Sequence, residues 1–148
     1  MDLIISIGKG LLLGGSIALL SFFLDITFSK KSFIKLCNES SEKYIQAVEA
    51  VQRNMMVISP LAYGVIDQTI IDHSSIAFQY RNILSILGIH SVGYYIIHAA
   101  MHKFKRLYTM HSFHHQYDKI LLPSIGNAVS TMEFVIAYLL PFIIALVF

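Results

Sequence analysis

The sequence predicts an all-α integral membrane protein of three to four transmembrane or re-entrant segments, with a histidine-rich site on the cytosolic side. Three observations carry that expectation. Of 148 residues, 55% are apolar and only 14% are charged, against about 25% charged in an ordinary soluble domain. Mean hydropathy is +0.63. The apolar residues also gather into runs, and about 20 such residues cross a bilayer core. So apolar a chain cannot cover itself with polar surface, which argues against a free-standing soluble enzyme. The low charge excludes a disordered chain. The net charge is +2, and without a long basic face a nucleic-acid partner is not expected. The length suits one domain, a single membrane domain over residues 1–148. Cys37 is the only cysteine, so neither an intrachain disulfide nor a cysteine metal cluster is available.

Residues 3–24 are the first span, with Lys9 as the sole charge inside it. A cleaved signal peptide is the rival reading. Asp2 in place of a basic start, and the lack of a small-x-small cleavage site, count against it. Gly10 and Gly14 form a small-xxx-small pair suited to close helix packing. The Gly-Lys-Gly run at 8–10 lacks the spacing of a phosphate loop. Residues 29–54 are the most polar stretch, carrying Lys30, Lys31, Lys35, Glu39, Glu42, Lys43, Glu49 and Arg53. They predict a solvated loop and an interfacial helix, with Ser40 or Ser41 as N-cap. Residues 55–71 are a weaker apolar segment with Pro60 inside and Asp67 near its end. This segment either spans or forms half of a re-entrant hairpin. Residues 82–101 are a further span. Residues 120–148 are apolar again, with Glu133 near the start of the last helix and Pro141 inside it. Pro141 is expected to kink that helix or divide it into a hairpin.

Charge gives the orientation. Lys30, Lys31 and Lys35 follow the first span, and Lys103, Lys105 and Arg106 follow the span at 82–101. Basic residues concentrate on the cytosolic side. Both clusters are cytosolic if residues 55–71 cross fully, or if they pair with the next segment in a hairpin. Either way residues 98–119 face the cytosol.

Of seven histidines, five fall between residues 98 and 115: His98, His102, His111, His114 and His115. His98 and His102 are four apart, one turn of helix on one face. His111, His114 and His115 share a face in the same way. Two short helical pieces can thus aim five imidazoles at one small volume. Imidazole suits zinc, copper, iron and nickel, and five donors exceed what one tetrahedral zinc needs. Redox iron beside apolar spans fits a chemistry in which oxygen attacks an unactivated alkyl C–H bond. A basic patch for acidic headgroups is the competing use. Lys103, Lys105 and Arg106 fit it, but five histidines at two ligand spacings do not. His90 lies on roughly the same face as His98 and is a sixth candidate, since ionisable groups inside spans tend to be functional. His73 reads as a polar loop residue. A two-histidine haem site fits less well, because paired haem ligands usually come from separate helices.

The pattern resembles the fatty acid hydroxylase/sterol desaturase superfamily of membrane non-haem di-iron enzymes. His98-x-x-x-His102 matches its first histidine box, and His111-x-x-His114-His115 its second. The short gap between them is that of this family. Tyr95 stands three residues before the first box, Leu107-Tyr108 before the second, and Glu133 after it. The resemblance covers residues 80–140. It implies a lipid hydroxylase or desaturase in the endoplasmic reticulum or an equivalent membrane. Two irons would be held in an intact member, with His98, His102, His111, His114 and His115 as ligands. The other participants it implies are a membrane lipid substrate, molecular oxygen and a cytochrome b5-type electron donor. Ser91 and Ala99 replace the family's usual aspartate and arginine, and no third histidine box follows His115. The C-terminal part of the family domain is therefore expected to be missing. That departure predicts an incomplete site nearer one iron than two, with weak or absent lipid oxidation by this chain alone. The alternative is a shortened, non-catalytic membrane scaffold or subunit of the same fold.

Overall fold

The computed structural model describes residues 2–71, 80–117 and 122–147, with the backbone alone for 80–82. All regular elements among the described residues are helical. Helix α1 (Leu3–Thr27) opens on Asp2, whose carboxylate accepts from the Ile4 N–H at 3.1 Å. That bond satisfies one of the orphan amides of the first turn. Ser16, Ser21 and Thr27 donate their hydroxyls to the carbonyls four residues back. These polar side chains can therefore ride in an apolar helix with their donors satisfied.

A second helical run extends from Lys30 to Thr69. It comprises α2 (Lys30–Arg53), a π-helical stretch (Asn54–Ile58) and α3 (Ser59–Thr69). Residues 30–53 are thus helical on both sides of Ser40, without the expected loop. The expected helix start survives as a kink, with Ser40 at φ −162° and ψ 73° inside α2. The run returns antiparallel along α1 instead of folding back on itself. Gly10 meets Pro60, Gly14 meets Met55, and Gly64 meets Ile7. A Cβ at Gly10 would lie 2.8 Å from the Pro60 Cα, and one at Gly14 would collide with the Met55 carbonyl. The small-residue pair read from the sequence is therefore the contact line of this hairpin. At its far end Ser6 donates to the buried Asp67 carboxylate at 2.5 Å and accepts from Gln68 at 2.9 Å.

The second antiparallel pair is α4 (Tyr80–Lys103) and the terminal helix. Between them lie α5 (Lys105–His115) and the single turn α6 (Pro123–Gly126). The terminal helix, α7, runs from Thr131 to Val147 and carries a π-helical stretch at Phe134–Leu139. Gly93 of α4 packs on Pro141, Tyr94 on Tyr138 and His90 on Phe142. Pro141 does not divide the helix. Pro60 and Pro141 each follow a π stretch, and widening the helix there relieves the clash of the proline ring with the preceding turn.

The two pairs are tied together by the segment leading into α7. Asp25 accepts from the Ser124 N–H at 3.1 Å, Ser21 from the Asn127 amide at 3.0 Å, and Asn54 donates to the Val129 carbonyl at 2.9 Å. The Tyr117 hydroxyl, just past α5, donates to the Lys43 carbonyl at 3.2 Å. The chain that follows α4 is thus gathered beside the chain that follows α1. The lysines after each of those helices belong to the same end of the molecule.

Among the described residues, two helices are long and apolar enough to cross a membrane: Leu3–Thr27 and Ile83–Lys103. Thr131–Val147 is apolar but shorter. The buried line of α1 is Ser6, Gly10, Gly14, Ala18, Ser21 and Asp25. Its large side chains face outward, with Ile4 76%, Leu12 75% and Leu19 71% exposed. That is the reverse of a soluble amphipathic helix, whose apolar stripe faces the core. His73 lies outside the described residues.

Candidate metal centre

The site forms where α4 ends. His98 and His102 occupy its last two turns. Phe104 then takes an extended conformation (φ −105°, ψ 116°) and starts α5 in a new direction. That break swings His111 and His115, one turn apart on α5, back onto the pair from α4. The four rings close edge to face, with centroids 4.4 to 4.9 Å apart for the pairs 98–102, 98–111, 102–111, 102–115 and 111–115.

The nitrogens converge more closely than the rings. His102 Nε2 lies 3.3 Å from His98 Nε2 and 3.1 Å from His111 Nε2. His115 Nε2 lies 2.7 Å from His111 Nε2. The ligating atoms of His98, His102 and His111 all fall within 4.8 Å of one another. Metal–nitrogen bonds of about 2.0–2.1 Å in a tetrahedron place the donors about 3.3 Å apart, close to the separations of His102 Nε2 from His98 and His111 Nε2. A ring nitrogen carries either one proton or one lone pair and makes one in-plane hydrogen bond. His102 and His111 each turn one Nε2 towards two others, so the row of contacts cannot be a row of good hydrogen bonds. A cation among His98, His102 and His111 would take up their lone pairs together.

Glu133 supports this arrangement from behind. Its Oε1 lies 2.7 Å from His111 Nδ1, with the side chains 1% and 0% exposed. A carboxylate there accepts the Nδ1–H and leaves Nε2 with its lone pair, the usual carboxylate–histidine–metal relation. Burial, and after it the neighbouring histidines, push the His111 imidazole down to about 4. It is therefore neutral, the form that binds a metal. Glu133 Oε2 is buried and has no hydrogen-bond partner. Ser130 caps α7 by accepting the Glu133 N–H at 3.1 Å, and its hydroxyl donates to the Met110 carbonyl of α5 at 2.5 Å. The start of α7 is thereby pinned to the histidine helix. The cap is the Ser-x-x-Glu pattern of a helix start, but here the glutamate reaches a histidine instead of the cap.

The five predicted ligands do not behave alike. His98, His102, His111 and His115 come together. His114 stays outside that group and lies against the Ala128 main chain, and burial lowers its pKa. Its ring sits 5.9 Å from those of His111 and His115, and its buried Nδ1 has no partner. His90 stacks edge-on against Phe142 at 6.3 Å, two turns from His98. Tyr95, the aromatic singled out in the sequence, is 71% exposed. Its neighbour Tyr94 touches the cluster instead, with its hydroxyl 3.3 Å from His98 Nδ1. The spacing of four between Tyr94 and His98 was the available signal. Tyr108 stacks on His115 at 5.9 Å. No protein-family model, curated protein or solved structure matches this chain.

Proposed function

We propose that this chain is a membrane-embedded, histidine-ligated iron protein of the fatty acid hydroxylase/sterol desaturase type, whose chemistry is the oxidation of lipid alkyl chains with molecular oxygen, weak in this chain alone. The observation that supports it best is the convergence of the His98, His102 and His111 nitrogens from two helices, with His115 against His111 and Glu133 fixing that ring from behind. His98, His102 and His111 would hold the ion, with His115 beside them and Glu133 keeping the His111 ring in place from behind. Bound iron with open positions supplies activation of oxygen for attack on an alkyl C–H bond. The protein supplies the setting. Leu84, Leu87, Val92 and Ile96 are exposed along α4 and offer apolar surface to a lipid.

A bilayer accounts for large apolar side chains facing out and small or polar ones facing in. Lys30, Lys31 and Lys35 follow α1, and Lys103, Lys105 and Arg106 lie between the two histidine pairs; such basic residues favour a cytosolic setting for the histidine end. An acidic electron carrier of the cytochrome b5 type would be drawn to the same charge.

The test uses the iron-loaded chain in lipid vesicles with a reductant and ¹⁸O-labelled oxygen. Labelled hydroxyl groups or new double bonds in the extracted lipid, absent with His102→Ala, support the reading. Bound iron without any oxidised lipid would reject oxidation and leave a metal-binding scaffold or subunit.

A further inference from the structure

On the reading that these histidines hold a metal, we infer that Tyr94 is a positioning residue of the centre. Its hydroxyl oxygen accepts the Nδ1–H of His98 and so holds that ring with its Nε2 lone pair aimed at the ion. The geometry is on one helix face. Tyr94 and His98 are four apart on α4, the phenol oxygen lies 3.3 Å from Nδ1, and the rings lie at 5.3 Å with a 30° tilt. His98 turns its other nitrogen, Nε2, to His102 at 3.3 Å. A neutral imidazole that gives Nε2 to a metal must carry its proton on Nδ1, and Tyr94 is the acceptor placed to receive it.

The phenol is itself held. Tyr138 of α7 packs edge-on against Tyr94 at 5.0 Å and stacks on Phe134 at 5.8 Å. Phe134 is buried and directly follows Glu133. The helix that brings the carboxylate to His111 therefore also brings the ring that fixes Tyr94. Two ligands from two helices are oriented from outside by one shared wall, through a carboxylate on His111 and a neutral phenol on His98. The phenol adds no charge on the side of the cluster that continues into the apolar span, where a second carboxylate would be costly to bury.

The experiment titrates Co(II) into the detergent-purified full chain and follows affinity and the visible ligand-field spectrum. Tyr94→Phe keeps the ring and removes the oxygen. It should weaken Co(II) binding about 10–100-fold, the usual cost of losing an outer partner of a ligand, and shift the spectrum, at unchanged helicity. Tyr95→Phe, on the exposed side, should change neither. Should Tyr94→Phe lose helicity, the wild-type chain gives the answer through the infrared C–O stretch of tyrosine on metal addition, which moves if Tyr94 accepts from a metal-bound histidine. Wild-type Co(II) affinity and spectrum in a folded Tyr94→Phe, or an unmoved stretch, would overturn the inference and leave the metal centre standing. A wild-type chain that binds no Co(II) would overturn both.

Discussion

His111 Nδ1 and Glu133 Oε1 lie 2.7 Å apart with both side chains buried, 22 residues apart in the chain and on different helices. A buried imidazole paired with a carboxylate on one nitrogen, and facing two other histidines with the second, is arranged as a ligand. The pair also explains why the segment before α7 is fastened so closely to α1 and α2. Asp25, Ser21 and Asn54 hold the stretch that delivers Ser130 and Glu133 to α5.

Glu133→Gln should lower metal affinity about 10–100-fold, because an amide orients His111 less strongly than a carboxylate. Competition titration against a chelator of known affinity checks it. Unchanged affinity would remove Glu133 from the centre.

Within the second histidine box the two neighbouring residues should separate. His115→Ala should cost most of the bound metal. His114→Ala should leave metal content close to wild type and lower the melting temperature, since His114 lies against the main chain at Ala128. Lys103→Ala and Lys105→Ala should leave metal content unchanged. Elemental analysis of each purified variant, with its melting curve, checks the set.

Packing of the first helix pair predicts opposite results for two glycines of α1. Gly14→Val drives a side chain into the Met55 backbone and should destabilise by about 1–3 kcal/mol or more. Gly8→Ala meets open space and should be neutral or slightly stabilising, because alanine reduces the freedom of the unfolded chain. Thermal unfolding in one detergent compares them.

Tyr117 gives a pH dependence. Burial pushes its phenol up to about 12, while an unfolded tyrosine ionises near 10. The folded state thus keeps a proton that the unfolded state releases. Its contribution is complete below pH about 10 and is lost as pH rises towards 12. Melting curves between pH 9 and about 12 should therefore fall more steeply for wild type than for Tyr117→Phe. Parallel curves would contradict this.

Much of the architecture was legible because the physics is local. Hydropathy marks α1 and α4, and the small-residue pair Gly10 and Gly14 marks where another backbone comes close. It does not say which backbone, and Met55 and Pro60 became the partners only once residues 30–69 formed one helical run. The polarity of residues 29–54 suggested a loop, but a charged helix is equally polar, and only Ser40 kept the expected break. The ligand spacing of His98 and His102 was readable from one turn of helix. His114 and His115 were not separable. Relative to His111 they lie about 60° to one side and about 40° to the other, so both fit one face. The choice depends on the angle that Phe104 sets between α4 and α5, which spacing does not encode. Tyr94 and Tyr95 present the same problem, since adjacent residues on a helix point about 100° apart.

Metal content of the full chain, purified in detergent and reconstituted with ferrous iron under anaerobic conditions, tests the central claim most directly. The converging nitrogens of His98, His102 and His111, with His115 and Glu133 packed on His111, predict about one tightly held iron per chain. That iron should be lost when His102 and His111 are both replaced by alanine and retained when Lys103 and Lys105 are. A folded, fully helical wild-type chain that holds no iron, or a double-histidine variant that holds as much as wild type, would contradict the assignment of these histidines as a metal centre.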